Sequence, residues 1–342
     1  MLLPLPDMII VTGGTGLLGS HLLVALTRKH ENVLCLYRNY SKLSEVERVF
    51  SYYNESQNFK KIKFEEVDLD DYLALEKFIN EGDTVYHCAA IISFDPREAD
   101  KMIFNNHNAS LNIVNACLDK KVFCLCHVSS VAALGKAKEG AKINETNYWK
   151  PEEKNSNYAL SKYLAENEVW RGIEEGLNAV IVNPSVIIGE GFWSGGSGNL
   201  FTSSFKNKNR FYTTGITGYV DVKDVVNSML LLVENKKFGQ RFIISSEDLS
   251  YKQIFTFINR ALNIPEPVIK ADSLMLNLAW RINRVYSFFS GKKVYFSKET
   301  ARAAQEVTEF DNTKICNQLQ VKFQPIEITI KRVGAIFLSE RN

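Results

Sequence analysis

The chain of 342 residues is long enough for one large domain or two ordinary domains with a sizeable core. With 45% hydrophobic and 23% charged residues, its composition is that of an ordinary globular protein. The 41 Lys and Arg residues nearly balance the 39 Asp and Glu residues, and the resulting net charge of +2 argues against a nucleic-acid partner.

Cysteine and histidine residues are scattered along the chain. The six cysteines form no C-x-x-C pair and no zinc-like spacing, and they stand at positions 35, 88, 117, 124, 126 and 316. We therefore expect reduced core thiols, a cytoplasmic location and no metal site. The start of the chain lacks a basic targeting region. No apolar run reaches the roughly 18 residues of a spanning helix, so no membrane span is expected either.

The first half of the chain alternates short apolar runs with amphipathic stretches. The predicted strands are Met8–Thr12, Val33–Tyr37, Ile62–Val67, Thr84–Cys88, Val122–Val128 and Ala179–Asn183. The predicted helices are Leu17–Lys29, Ser44–Tyr52, Asp71–Ile79, Pro96–Asp119 and Tyr158–Glu175. This alternation with fully apolar strands predicts an α/β fold, a doubly wound parallel sheet covered on both faces. Such sheets bind ligands beyond the carboxyl ends of their strands.

After Gly189 the regular alternation stops, and the glycine-rich run 191–198 predicts a loop. We interpret residues 1–189, with a returning segment at about 216–245, as a nucleotide-binding domain. Residues 190–215 and 246–342 would then form a smaller C-terminal substrate-binding lobe.

One further helix is predicted in this lobe, over Leu274–Phe289, because apolar residues recur there at helical spacing. They are Leu274, Leu278, Ile282, Val285 and Phe289. We expect this stripe to face the core, and a helix lying in a membrane interface is the alternative.

A glycine-rich segment, T-G-G-T-G-L-L-G, follows the first strand directly and precedes a helical pattern. Its glycine spacing permits a tight turn, close approach to a pyrophosphate and close helix–sheet packing, while the helix N-terminus adds unpaired N–H groups. This context predicts a Rossmann-type dinucleotide site, with a ligand-free glycine turn as the alternative. The candidate cofactor-binding residues are Gly13, Thr15, Gly16, Leu17, Leu18 and Gly19.

The cofactor preference depends on the end of the second strand. NAD sites usually carry an acid about 20 residues beyond the glycine loop, to hold the ribose hydroxyls. Tyr37 stands at this position, and no residue from 32 to 44 is acidic. Arg38 and Lys42 are close by, and a guanidinium can hold a 2′-phosphate in bidentate fashion. This pattern favours NADP(H), with NAD(H) and a solvated Arg38 as the alternative.

Several motifs stand in a fixed order along the chain: the glycine loop, H-C-A-A at 87–90, N-N-H-N-A-S-L-N, V-S-S-V-A-A-L-G and Y-A-L-S-K. Over nearly the whole length they resemble the NAD-dependent epimerase/dehydratase-like family, the extended branch of the short-chain dehydrogenase/reductase superfamily. The further cofactor-binding residues that this resemblance implies are Asp68 and Leu69 at the adenine, Ala89, Ala90, and Pro184 near the nicotinamide carboxamide.

Tyr158 and Lys162 of Y-A-L-S-K are four residues apart, so their side chains share one face of the predicted helix. A lysine ammonium beside a phenol lowers the pKa of the phenol and makes it a tunable general acid/base. Tyr219 and Lys223 have the same spacing, but they straddle a predicted strand-to-helix transition and follow no serine strand. The context therefore favours Tyr158.

The resemblance also implies the remaining catalytic roles. Ser130, five residues before Gly135, would hydrogen-bond the reacting carbonyl oxygen. Lys162 would also hold the cofactor ribose, and Asn108 would anchor a water that relays protons to Lys162.

Two positions bear on the reaction within this family. Val131 and Ala132 stand where related dehydratases carry an Asp-Glu pair, which argues against dehydration. Val186, two residues after Pro184, matches dihydroflavonol reductase-like and aldehyde reductase-like members. These features predict an NADP(H)-dependent oxidoreductase that reduces a small-molecule ketone or aldehyde.

An NAD-dependent nucleotide-sugar epimerase is the alternative function, and a non-catalytic dinucleotide-binding protein is a third. Family members commonly dimerise through the helices predicted here at 96–119 and 158–175, so a homodimer is also expected. The sequence does not name the substrate. The aromatic residues that would line its pocket, if they converge, are Phe94, Phe192, Trp193, Phe201 and Phe205.

Overall fold

Parallel strands form the centre of the molecule. The computed structural model describes residues 8–138, 140–151, 153, 155–208, 210–290 and 296–341, with the backbone alone at 41 and 284–290. Within these residues the strands are β1 (Ile9–Thr12), β2 (Val33–Tyr37), β3 (Ile62–Glu66), β4 (Thr84–His87), β5 (Cys124–Val128), β6 (Ala179–Pro184), β7 (Val186–Ile188), β8 (Phe211–Tyr212), β9 (Ile216–Asp221), β10 (Gln240–Ile244), β11 (Glu247–Ser250) and β12 (Ile269–Lys270).

The helices cover both faces of this sheet and build the smaller lobe. They are α1 (Leu17–Thr27), α2 (Leu43–Tyr52), α3 (Ser56–Phe59), α4 (Tyr72–Glu76), α5 (Ala99–Asp119), α6 (Asn157–Glu174), α7 (Gly198–Asn207), α8 (Val222–Glu234), α9 (Tyr251–Ala261), α10 (Ser273–Ser290), α11 (Lys298–Ala303), α12 (Thr313–Leu319) and α13 (Ile326–Ser339).

The large sheet has the strand order β10-β6-β5-β4-β1-β2-β3, and all of its pairs are parallel. Helices α1, α2 and α8 pack on one face, and α4, α5 and α6 pack on the other. Both faces are covered because the strands are apolar on both sides. The predicted doubly wound fold is therefore confirmed, and each of the six predicted strands is present to within two residues.

The strand register brings the functional segments to one edge. Thr12 at the end of β1 pairs with His87 at the end of β4, and His87 pairs with His127 near the end of β5. The segments that follow these strands therefore leave the sheet side by side. They contain the glycine loop, Ala89 and Ser130.

The returning part of the chain is divided between two sheets. Strand β10 joins the large sheet beside β6, and α8 packs on that sheet. Strand β9, which also lies in the segment 216–245, instead pairs with β7 and β11 in a separate small sheet. Side chains of α7, α9 and α13 pack with this small sheet around Tyr219 and Phe337. The division into domains at Gly189 stays a prediction.

Helix α10 exists as predicted, but its orientation differs from the prediction. Leu274, Leu278 and Ile282 are 80%, 59% and 59% exposed. The expectation that their stripe faces the core is therefore wrong for these three residues, because the helix buries Leu276 instead. The side chains of Val285 and Phe289 lie outside the described residues. In the described part of the chain, no helix is both long and apolar enough to cross a membrane.

Candidate active site

The glycine loop joins β1 to α1 at the carboxyl edge of the large sheet. Gly13 has φ of +71°, and a Cβ atom there would lie 2.5 Å from the backbone nitrogen of Ala89 on the neighbouring β4 segment. Only glycine fits this close approach without strain. The N–H of Gly16 donates to the carbonyl of Gly13 at 3.0 Å, which closes the turn.

The N-terminus of α1 matches the requirements of a bound pyrophosphate. Gly16 caps the helix without a side-chain hydrogen bond, and the first turn carries no acid. Its N–H groups and positive dipole end therefore remain open to an anion. Thr15 and Leu17 are partly exposed here, whereas Leu18 and Gly19 are buried against the sheet. The loop thus fits the dinucleotide phosphates that the sequence predicts.

The other predicted cofactor residues lie along the same edge. Arg38 and Lys42 are exposed just beyond β2, and Asp68 is exposed just beyond β3. Next to Asp68, the carbonyl of Leu69 accepts a hydrogen bond from Asn112 Nδ2 at 2.8 Å. On the opposite side of β1 in the sheet, Ala89 and Ala90 follow β4, and Pro184 ends β6. The structure thus spreads these residues across the strands β3-β2-β1-β4-β5-β6, as one extended ligand would require.

Tyr158 is brought to this edge by the first turn of α6. The hydroxyl of Ser156 accepts a hydrogen bond from the N–H of Ala159 at 3.1 Å and fixes the start of the helix. Ser130, just after β5, caps a short turn by accepting from the N–H of Ala132. The Ser130 side chain lies close enough to the Tyr158 hydroxyl to lower the pKa of the phenol. The structure therefore places the two predicted hydroxyl groups near each other.

Lys162 lies one turn further along α6 and is only 4% exposed. Its Nζ donates a hydrogen bond to the carbonyl oxygen of Val128 at 2.9 Å. Burial lowers the pKa of Lys162 to about 8, although the Cys88 thiol and the Glu166 carboxylate act in the opposite direction. The lysine is thus held at the end of β5, directly before the serine pair.

The pKa of Tyr158 is shifted upward, whereas the sequence pattern predicts a downward shift. Burial raises the pKa of Tyr158, and the nearby Ser130 hydroxyl offsets this only in part. We predicted that the charge of Lys162 lowers this pKa. In the structure the ammonium group donates to a backbone carbonyl, and desolvation of the phenol dominates. At neutral pH Tyr158 therefore carries its proton, as an acid in a reduction must.

Asn108 lies apart from this group. Its Nδ2 donates to Asp70 Oδ1 at 2.9 Å, near the end of β3. The asparagine that reaches α6 is Asn106, whose Nδ2 donates to the hydroxyl of Ser161 at 3.1 Å and whose Oδ1 accepts from the N–H of Ile91 at 2.7 Å. The structure thus does not bring Asn108 together with Lys162. The motif N-N-H-N offers several asparagines, and only the helix phase distinguishes them.

Glu166 is a residue that our sequence reasoning missed. It is 2% exposed and accepts four hydrogen bonds, two on each carboxylate oxygen. The donors are the Ser129 hydroxyl at 2.5 Å, Asn183 Nδ2 at 2.7 Å, Arg241 Nη1 at 3.0 Å and Trp170 Nε1 at 3.2 Å. The sequence feature that could have identified Glu166 is its spacing. It follows Lys162 by four residues and therefore lies on the same face of α6.

This carboxylate also supports the serine. Asn183, which donates to Glu166, donates from the same nitrogen to the carbonyl of Ser130 at 3.0 Å. Arg241 of β10 further donates to the backbone carbonyls of Glu145 and Asn147. Glu166 thus ties α6 to β6, to β10 and to the turn after β5 that carries Ser130.

The predicted aromatic wall forms only in part. Phe94 lies 6.1 Å from the Tyr158 ring, measured between centroids, and is 42% exposed. Trp193, Phe201 and Phe205 instead pack around Phe337 in the core of the small lobe. Phe192 packs against the core of the large sheet. These four do not converge with Phe94.

The second tyrosine–lysine pair has a structural role. Tyr219 is buried within β9, while Nζ of Lys223, on α8, lies 3.7 Å from Glu190 Oε1. This pair straddles a strand and a helix, as its sequence context predicts. Glu190 also pairs with Arg332 of α13, which in turn pairs with Asp221 at the end of β9. Among the described residues, no three His, Cys, Asp or Glu side chains are placed to hold a metal.

Comparisons with known proteins agree with this geometry. Residues 9–245 match the family described as NAD dependent epimerase/dehydratase. Tetraketide alpha-pyrone reductase 2 of Arabidopsis thaliana is 26% identical over 270 aligned positions, covering 75% of this chain and 83% of that protein. Dihydroflavonol 4-reductase of the same plant is 23% identical over 352 aligned positions, covering 98% of this chain and 88% of the reductase.

Solved structures share the fold. The UDP-glucuronic acid 4-epimerase of Bacillus cereus, in complex with UDP-glucuronic acid and NAD, superposes with a TM-score of 0.74 at 17% identity. The superposition covers 97% of this chain and 99% of the epimerase. The matched family segment covers well over half of the sequence and contains the glycine loop, Ser130, Tyr158 and Lys162. The chain therefore belongs to the NAD dependent epimerase/dehydratase family, the extended branch of the short-chain dehydrogenase/reductases, and is an NAD(P)-dependent oxidoreductase of that type.

Proposed function

We propose that this chain reduces a ketone or aldehyde with NADPH, using Ser130, Tyr158 and Lys162. The proximity of the Ser130 and Tyr158 side chains, through which Ser130 lowers the pKa of the phenol, carries this proposal. Two hydroxyl groups that meet at the carboxyl edge of the sheet, beside the glycine loop, can both donate to one substrate oxygen.

The roles follow from the protonation states. The pKa of Tyr158 is raised by burial, so its phenol holds a proton that it can donate to the carbonyl oxygen as negative charge develops there. Ser130 donates a second hydrogen bond and orients that oxygen. Lys162 is held beside them by Val128, and Asn106, rather than Asn108, steadies α6 through Ser161. The bound nicotinamide would supply the hydride.

The same edge fits the rest of the cofactor. Gly13 and the open N-terminus of α1 would hold the pyrophosphate, and Lys162 would hold the ribose. Asp68, Leu69, Ala89, Ala90 and Pro184 would contact the remaining groups. Arg38 and Lys42 are exposed where a 2′-phosphate would lie, which supports NADPH over NADH.

The substrate side of the site is apolar. Ile92 and Phe94 follow β4 and are exposed, and Val186 is exposed at the start of β7. Two relatives are named as reductases of a tetraketide alpha-pyrone and a dihydroflavonol. We infer that this chain accepts an apolar, aromatic-type carbonyl compound rather than a charged nucleotide sugar, since the half-exposed Phe94 ring packs beside Tyr158.

Replacement of the proton donor tests the reaction. Tyr158→Phe should lower the turnover of NADPH with a panel of aromatic ketones and aldehydes by about 10²–10⁴-fold, because it removes a general acid. NADPH affinity, measured by calorimetry, should change little. Tyr163→Phe is the matched control, because Tyr163 lies on the same helix and stacks on Trp149. Unchanged turnover in Tyr158→Phe would exclude the assigned role. Tightly retained NAD with conversion of a UDP-sugar would instead establish the epimerase.

Replacement of Arg38 tests the cofactor preference. Arg38→Ala should weaken NADPH binding by about tenfold or more, because a charge-assisted hydrogen bond to the 2′-phosphate is lost. NADH lacks this phosphate, so its affinity should stay the same. Arg260→Ala is the control, since Arg260 pairs with Glu266 on the surface of the other lobe. Equal losses for NADPH and NADH would contradict the preference.

A further inference from the structure

Two hydrogen-bond donors that flank the backbone of Ser130 meet at one oxygen of Glu166. The hydroxyl of Ser129 donates to Glu166 Oε2 at 2.5 Å. Asn183 Nδ2 donates to the same oxygen at 2.7 Å and to the backbone carbonyl of Ser130 at 3.0 Å. Ser129, Asn183 and Glu166 are each at most 2% exposed. The backbone that carries the Ser130 hydroxyl is thus held from two sides by a buried carboxylate.

The other oxygen of Glu166 extends this hold to the stretch of chain between Ser130 and Tyr158. Glu166 Oε1 accepts a hydrogen bond from Arg241 Nη1 at 3.0 Å. Arg241 also donates to two backbone carbonyls of the segment 145–147, at 2.8 to 3.0 Å. This segment belongs to the stretch that connects the serine to the tyrosine. The carboxylate therefore fixes this connection through the guanidinium, in addition to the serine backbone itself.

The negative charge of Glu166 acts on Lys162, which precedes it by about one helical turn. Burial lowers the pKa of Lys162, whereas Cys88 and Glu166 act in the opposite direction. Burial raises the pKa of the Cys88 thiol to about 12, so this thiol is uncharged at neutral pH. The described titratable groups around Lys162 that are neutral at this pH are Cys88 after β4, His87 in β4, His127 in β5 and Tyr158 in α6. The charge that opposes the effect of burial at neutral pH therefore comes from Glu166.

We propose that Glu166 is a positioning residue of the reduction, which holds the backbone around Ser130 and keeps Lys162 in its ammonium form. This role rests on the proposed function, in which Ser130 acts on the substrate and Lys162 on the cofactor. Glu166 acts through these two residues. A glutamine of the same shape cannot take over the role, because its amide carries no charge and turns one acceptor oxygen into an N–H donor that faces other donors.

Glu166→Gln tests this role through the reaction. Its kcat for reduction with NADPH should fall by about 10–10²-fold, because Ser130 loses its fixed orientation. The basic limb of its pH profile should move to lower pH, because Lys162 loses the neighbouring negative charge and gives up its proton more readily. A loss of folding stability alone would lower activity without moving this limb. Glu174→Gln, exposed on the same helix, is the control and should leave both quantities unchanged.

The protonation of Lys162 can also be followed without substrate. In the full chain labelled with ¹⁵N-lysine, the Nζ signal of Lys162 is identified by its absence in Lys162→Arg, and its titration by NMR gives the pKa. This pKa should be lower in Glu166→Gln than in the unchanged chain and the same in Glu174→Gln. An identical titration in Glu166→Gln would overturn the role of Glu166, whether or not the chain reduces a carbonyl compound. A missing reduction by the unchanged chain would instead refute the proposed function.

Ser129→Ala separates the hydrogen bonds of Glu166 from its charge. It removes one donor and leaves the carboxylate in place, so kcat should fall by about two- to tenfold while the titration of Lys162 does not move to lower pH. A thermal melt verifies that each variant is folded, and Ser129→Ala tests the hold on Ser130 even where Glu166→Gln does not fold. Full activity of Ser129→Ala, or of folded Glu166→Gln, would overturn the positioning role.

Discussion

Helices α6 and α10 have the same length, 18 residues, but they break the usual rule for side-chain burial in opposite ways. Helix α6 buries an ammonium group and a carboxylate, Lys162 and Glu166, whereas α10 exposes the leucines at 274 and 278. A helical period identifies an amphipathic element, but it does not say what covers each face. Helix α6 lies at the proposed active site, and both of its buried charged groups have hydrogen-bond partners.

Compensation explains why α6 tolerates its buried charges. An unpaired buried ion is strongly destabilising, whereas a carboxylate with all lone pairs occupied is not. Four donors converge on Glu166, from β6, β10, the turn after β5 and α6 itself, and a backbone carbonyl accepts from Lys162. The hydrogen bonds that hold Lys162 and Glu166 in place therefore also offset the free-energy cost of burying their charges.

The largest effect should come from breaking this compensation. Glu166→Gln should lower the free energy of unfolding by about 2–4 kcal/mol, because a neutral amide cannot accept all four hydrogen bonds and leaves Arg241 without its carboxylate. Urea denaturation measures this change. Glu174→Gln is the matched control, since Glu174 is exposed on the same helix and should change stability by less than about 0.5 kcal/mol. Equal losses of stability for the two substitutions would show that the buried Glu166 contributes no more to stability than the exposed Glu174.

A smaller effect on stability should come from the two buried histidines, His87 and His127. Burial lowers the pKa of His87 to about 3 and holds the pKa of His127 well below its usual value. The unfolded chain takes up protons on these groups as the pH falls below about 6.5, while the folded chain does not, so stability decreases with falling pH.

His127→Phe isolates one of these two groups. Within the described residues, neither ring nitrogen of His127 has a hydrogen-bond partner, so the substitution should cost little at neutral pH. The loss of stability between about pH 6 and pH 4 should then become shallower by up to about 1.4 kcal/mol per pH unit. Urea midpoints at the two pH values give this slope. An unchanged slope would show that His127 does not remain neutral in the folded chain.

The smallest effect concerns the exposed side of α10. Leu278→Ala should change the free energy of unfolding by less than about 0.5 kcal/mol, because its side chain is already in contact with water. Leu276→Ala on the buried side of the same helix should cost about 2 kcal/mol. Thermal denaturation of the two variants measures the difference. A loss at Leu278 as large as that at Leu276 would mean that its face is covered in the isolated protein.

The sequence predicts the large sheet well because local and tertiary signals agree there. The apolar strands pair within the sheet, as their pattern predicts. Gly13 has a positive φ and approaches Ala89 closely, and Ser130 follows β5. The register of a parallel sheet then places everything after the strands at one edge. The preference for Tyr158 over Tyr219 rests on this context and stays a prediction.

The remaining differences between the sequence predictions and the structure concern the orientation and environment of individual side chains. Asn106 and Asn108 are two residues apart, and a small change in helix phase decides which of them faces α6. The apolar stripe of α10 has the period of a core-facing helix, but the small lobe covers only its other side. The pKa of Tyr158 depends on how much water the fold removes, and this cannot be read from the spacing to Lys162.

Strand β10 couples the two halves of the molecule during synthesis. It supplies the neighbour of β6 in the large sheet, yet the small-lobe elements β7, α7 and β9 are made before it. As the ribosome releases the chain, the hydrogen-bonding edge of β6 therefore stays unpaired until residue 244 has emerged. A chain shortened at Gly189 would keep that open edge permanently. The large sheet is thus completed only after β7, α7 and β9 have been made, so these elements form an insertion within it, whereas α9 to α13 follow its last strand.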